Sequence, residues 1–98
     1  MKRILHPEAD AEFIEALQHY AAISPELAAR FYDELTRMLG EVSAHPLRYR
    51  LIDPPVRRIL AEDDFPYAVL YEVKADYILI VAVMPLKREP GYWKHRRP

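Results

Sequence analysis

Guanidinium groups are the side chains of this sequence best suited to chemistry. Arg57 and Arg58 open an apolar run, and Arg48 and Arg50 flank Tyr49 just before it. The chain ends in LKREPGYWKHRRP, where Lys87, Arg88, Lys94, Arg96 and Arg97 surround Tyr92 and Trp93. Arginine grips phosphate or carboxylate through charge-assisted, often paired, hydrogen bonds, and aromatic rings stack on bases. The set therefore suits a nucleic-acid backbone, or equally the carboxylates of an acidic partner protein. The bland alternative is a solvated basic tail with Trp93 packed back on the core.

Other chemistries find less support. His6 and His45 precede prolines, His19 lies within a helical pattern and His95 is in the tail; no pair has HxxxH spacing and there is no cysteine, so no metal is expected. Glu8, Glu12 and Glu15 share a helix side and read as a solvated face, since paired-carboxylate catalysis needs two acids converging from different elements. Ser24 and Ser43 are the only serines, and the two glycines are isolated, which leaves neither a hydrolase triad nor a phosphate loop. No cofactor is expected.

Positioning those arginines requires a folded domain, and the composition allows one. The chain has 98 residues, 51% of them hydrophobic and 30% charged. It is expected to form one domain spanning 1–98. The absence of cysteine agrees with a reducing cytoplasm. The N-terminus lacks the apolar stretch of a signal peptide. The apolar run Tyr77–Leu86 is far short of the roughly 20 residues that cross a bilayer as a helix. A cytoplasmic protein with no membrane partner is the expectation.

Charge is unevenly placed. Residues 1–44 carry four Lys/Arg against eight Asp/Glu, whereas residues 87–98 carry five against one, so the net charge of −1 covers an acidic front and a basic end.

The elements follow from period and punctuation. Pro7 suits a first helical position and Glu8 the positive helix end. Ala9, Phe13, Ala16, Leu17 and Tyr20 then form one apolar stripe. Ser24 caps a second helix with Pro25 next, carrying Leu27, Phe31, Leu35, Met38, Leu39 and Val42 until His45-Pro46 stops it. So short a break makes an antiparallel helical hairpin. From Val56 the period becomes two. Val56–Ala61 reads as a strand, and Phe65, Tyr67, Val69, Tyr71 and Val73 alternate as a strand with one buried face. After the Lys74–Asp76 turn, Tyr77–Met84 is apolar on both sides and belongs in the sheet interior. Arg3–Leu5 is a candidate first strand. The expected fold is α+β, order β-α-α-β-β-β, with the helical hairpin on one face of a mostly antiparallel sheet.

Three stretches in this order resemble the RelE/ParE superfamily of bacterial type II toxin–antitoxin toxins, a group that includes plasmid stabilisation proteins. HPEADAEFIEALQHYAAISPELAARFYDEL resembles its opening hairpin. VRRILAEDDFPYAVLYEV resembles its strand pair, and ILIVAVMPLKREPGYW its closing strand and tail. The resemblance implies a toxin neutralised by a cognate antitoxin that wraps over it. It offers two targets: the ribosome with its messenger RNA for the RelE-like branch, DNA gyrase for the ParE-like branch.

Departures from the pattern separate the branches. The ribosome-dependent branch carries an arginine directly after the tyrosine of FPYAVLY, where this chain has Ala68. Its histidine two residues after Val83 is Pro85 here. A ribosome-bound nuclease gains affinity by neutralising phosphates, and a net charge of −1 gives little steering. The ParE-like reading, inhibition of gyrase without catalytic chemistry, is therefore preferred. The alternative is an mRNA endoribonuclease using Arg58, Arg88 and Tyr92, and a third reading is an inactive relative that only binds an antitoxin. Under any target reading Arg57, Lys87 and Trp93 are the candidate contacts. Arg88 is expected to project towards the side of Arg57 or Arg58, Trp93 to anchor the tail, and residues 94–98 to be dispensable for folding.

Overall fold

The computed structural model describes residues 1–97. Strand β1 (Lys2–Leu5) is followed by helices α1 (Pro7–Ile23) and α2 (Pro25–Ala44) and by strands β2 (Arg50–Asp53), β3 (Val56–Leu60), β4 (Tyr67–Val73) and β5 (Tyr77–Pro85). A short 3-10 turn covers Lys94–Arg96. The sheet order is β1-β5-β4-β3-β2. β1 runs parallel to β5 and the other neighbours are antiparallel. The α+β fold and the helical hairpin are as the sequence implies, with one further strand, β2. That strand is a four-residue edge element with a register shift between Leu51 and Asp53, too short and irregular to show a period.

Local chemistry sets the helix ends. The His6 ring nitrogen Nδ1 accepts a hydrogen bond from the Glu8 amide (3.1 Å), so the residue before Pro7 caps α1. Ser24 serves both helices. Its amide donates to Tyr20 O at 3.0 Å and closes α1, while its hydroxyl accepts from the Leu27 amide at 3.0 Å and opens α2. The backbone therefore reverses across one residue.

The sheet has two covered faces. Towards the helices, Ile59, Val69, Tyr71, Ile78, Ile80 and Val83 pack with Phe31, Leu35 and Met38 of α2 and with Ala9, Ala16 and Tyr20 of α1. On the opposite face Val56, Ala68, Leu70, Leu79, Val81 and Ala82 form a second cluster closed by Trp93. The alternation of β4 leads one to expect a single buried face, yet Ala68 to Glu72 are all buried. The C-terminal tail is the reason: it folds back across the side that the alternation leaves open.

Candidate functional site

The tail follows a path set by a few backbone contacts. Leu86 donates to Pro66 O at 2.9 Å and Arg88 to Pro85 O at 3.1 Å. Gly91 then takes φ +78°, a left-handed conformation that side-chain-bearing residues avoid, and the chain turns back to present Tyr92 and Trp93 to the sheet. Trp93 is 3% exposed.

The carboxylate at the centre of this arrangement is Glu12 of α1. Its Oε1 accepts from the Val83 amide of β5 (3.0 Å) and from Arg96 Nη1 (2.7 Å); its Oε2 accepts from the Tyr92 hydroxyl (2.5 Å) and from Arg96 Nη2 (3.2 Å). Arg96 Nη1 also donates to Val81 O at 3.1 Å. β1 pairs with β5 only as far as Leu5 opposite Ile80. Beyond that point the Val81 carbonyl and Val83 amide of β5 are satisfied by two side chains that are themselves ion-paired.

Most of the tail's charge is matched within the chain. Arg97 reaches Glu72 (3.2 Å), which also holds Lys74, while Lys94 lies 3.7 Å from Asp53 and His95 2.8 Å from Glu8. Glu72 titrates below its ordinary range: burial opposes ionisation, and the Lys74 and Arg97 hydrogen bonds outweigh it. Glu8 is lowered as well, chiefly by its hydrogen bond to His95.

Arg88 stands apart. Its guanidinium lies 3.8 Å from the centre of the Tyr92 ring, a cation–π stack, and pairs with the neighbouring Glu89 at 3.1 Å in an exposed position. It borders two grooves. One, of about 320 Å³, runs between α1 and the ends of β4 and β5, with Glu15, His19, Tyr67 and Lys87 among its walls. The other, of about 520 Å³, lies on the far face against Ile52, Met84, Trp93 and Lys94.

The remaining candidates are placed as follows. Arg57 points to the helix side and donates to Leu47 O (3.2 Å) and Tyr49 O (2.7 Å), so it braces the segment before β2. Arg58 is opposite Arg50 and Leu70 on the far face, with its Nε buried and unpartnered. Arg58 lies on the far face, whereas Arg88, beyond the end of β5, borders a groove on each side, and neither Arg57 nor Arg58 lines a groove with Arg88. Trp93 is almost fully buried in the far-face cluster and presents only a small part of its surface to the second groove. Burial, aided by the Glu12 hydrogen bond, raises the Tyr92 hydroxyl well above its ordinary value. Arg96, 7% exposed, makes the last turn part of the fold rather than a dispensable end.

Glu12 itself overturns the reading of a solvated helix face. The signal was available: Glu12 sits three residues after Ala9 and four before Ala16, on the buried stripe. Glu34 repeats the pattern between Phe31 and Met38, and is 6% exposed. Its carboxylate takes Arg37 through both oxygens at 2.8 Å and accepts from the Glu62 amide at 2.6 Å.

No helix among the described residues is long and apolar enough to cross a membrane. No curated protein matches the chain significantly. A solved structure described as the chromosomal ParDE toxin–antitoxin system from P. aeruginosa superposes with a TM-score of 0.76 at 22% identity, covering 89% of this chain and 97% of that one, and so shares the fold. The family model of the ParE toxin of the type II toxin–antitoxin system, parDE, matches residues 3–90, a span holding the hairpin, the sheet, Glu12 and Arg88. The chain belongs to the ParE toxin family of type II toxin–antitoxin systems.

Proposed function

We propose that this toxin inhibits DNA gyrase by binding, without bond chemistry of its own, that it acts in the cytoplasm as a single domain, and that a cognate antitoxin neutralises it. The observation that carries the reading is the internal pairing of the tail's cations. Arg96 and Arg97 are committed to Glu12 and Glu72, whereas a nuclease gripping messenger RNA would present such groups to phosphates. Two further features agree. Ala68, where the ribosome-dependent branch carries an arginine, is fully buried in the Trp93 cluster. Tyr92 is tied to Glu12 through its hydroxyl. Arg88 and Lys87, at the mouth of the α1–β5 groove, are the contacts we assign to the target. The Arg88–Glu89 pair is surface-exposed and therefore weak, leaving the guanidinium exchangeable for a target carboxylate.

Induction of the toxin alone, with purified gyrase assayed in parallel, tests this. DNA-damage signalling is expected to rise and supercoiling to fall, with translated transcripts intact by primer extension. Codon-positioned cuts with normal supercoiling would establish the endoribonuclease instead. If neither effect appears while a co-expressed antitoxin still binds, the chain is a binding module.

A further inference from the structure

We infer that Glu12 is a positioning residue, which closes the open edge of β5 and, through Tyr92, sets Arg88 at the groove mouth. The functional half of this inference rests on the reading of Arg88 given above; the structural half does not.

The geometry forms one connected chain. Glu12 projects from α1, an element fixed by its buried stripe, and its side chain is 15% exposed. It receives four hydrogen bonds, one from β5 and three from the tail. The Val83 contact ties the carboxylate to the sheet, so the tail docks against a rigid point. Tyr92 is held at its hydroxyl by Glu12, and its ring is flanked by two guanidinium groups, Arg88 at 3.8 Å and Arg96 at 5.0 Å. Arg88 thus lies at the end of a relay from Val83 through Glu12 and Tyr92. Its other charged contact, Glu89, is the next residue along and cannot fix its place against α1. The edge left beyond β1 would otherwise expose the Val81 carbonyl and the Val83 amide. An acid and a base that pair with each other satisfy both, and the same pairing holds the tail down. Tyr92 and Arg96 both lie beyond residue 90, where the family match ends.

Trp93 is the only tryptophan and is buried beside Tyr92, so its fluorescence reports whether the tail is docked. The experiment uses the full chain, purified after release from a co-expressed partner, with acrylamide as quencher and growth inhibition as the functional readout. Glu12→Gln keeps an acceptor for Val83 but loses the charge that holds Arg96. Quenching of Trp93 should increase several-fold and growth inhibition should fall. Tyr92→Phe removes only the hydroxyl and leaves the Glu12–Arg96 pair. The melting temperature should fall only moderately and Trp93 should stay shielded, because the Glu12–Arg96 pair and Trp93 still hold the tail, while growth inhibition drops about tenfold or more, the equivalent of about 1.4 kcal/mol of binding. A merely structural Glu12 would leave Tyr92→Phe fully toxic. That result, or wild-type quenching in Glu12→Gln, would overturn the inference. Arg88→Ala is the separating control: full toxicity there overturns the reading of Arg88, and with it the functional half. Lost toxicity in Arg88→Ala beside full toxicity in Tyr92→Phe overturns the positioning role alone.

Discussion

Glu12 and Glu34 occupy like places on α1 and α2, each inside an apolar stripe, and each joins its helix to a segment distant in sequence. Glu34 joins α2 to the β3–β4 connection, where the Glu62 amide meets its carboxylate just before Asp63 and Asp64 take left-handed φ values of 57° and 62°. Its carboxyl is held below the ordinary 4.5, first by the Arg37 hydrogen bonds, against burial, and then by the Glu62 amide. A depressed carboxylate contributes stability that is complete above its unfolded value and is lost as pH falls through the lower folded value. Glu34→Gln should therefore be less stable than wild type by a constant amount above about pH 5, with the gap closing below pH 4.5. Glu34→Ala should cost about 1.5–3 kcal/mol, the range for hydrogen bonds to a charged group, by urea unfolding at pH 7. A gap that widens towards acid would refute the assignment. Both glutamates were legible as stripe positions. Their partners were not, because contacts between residues as distant as 12 and 96 leave no local pattern.

Among the elements, the hairpin and the interior strands were readable because each carries a period: three to four residues on the helices, two on β4, and an unbroken apolar run on β5. β2 lacked one. The anchoring of the tail by Trp93 was expected; what local pattern did not show was the part of Arg96 and the extent of the apolar far side of β4 and β5. Ala68, Leu70, Val81 and Ala82 required a cover, and the sole tryptophan supplies it. The turn at Gly91 makes that cover possible. A Cβ there would meet the Lys94 side chain at 3.2 Å, and φ +78° is costly for any L side chain. Gly91→Ala is expected to cost about 1–2 kcal/mol. In a domain of this size that lowers the melting temperature by roughly 5–15 °C, with Trp93 more accessible to quencher. Lys94 is flexible enough to move aside, so Gly91→Asn, which tolerates left-handed backbone better, should recover part of the loss. An unchanged melting temperature in Gly91→Ala would mean that the tail does not turn as described.

Over the whole molecule, the charge asymmetry of the sequence is resolved by folding. The acidic front and the basic end lie in contact, with Glu8 and Glu12 of α1 meeting His95 and Arg96. Long-range steering of an anionic target by the tail is thereby reduced, and what the pairs contribute depends on their burial. Lys94–Asp53 is 3.7 Å apart with side chains 63% and 42% exposed, a solvent-screened pair. Arg96–Glu12 is 2.7 Å apart with side chains 5% and 15% exposed. Removing one member of an exposed pair costs little, whereas removing one member of a buried pair strands the other charge. Lys94→Ala should change stability by no more than about 0.5 kcal/mol. Arg96→Ala should cost about 3–5 kcal/mol, since it leaves Glu12 without its cation and Val81 O without its donor. High salt separates the two further. At 1 M the screening length falls to about 3 Å, so any small Lys94 effect should vanish while the Arg96 effect persists. Guanidinium chloride is itself a salt, so the comparison belongs in urea with and without added sodium chloride. If Arg96→Ala is no more damaging than Lys94→Ala, the last turn is not part of the fold, and the tail is held to the far face of the sheet by Trp93 alone.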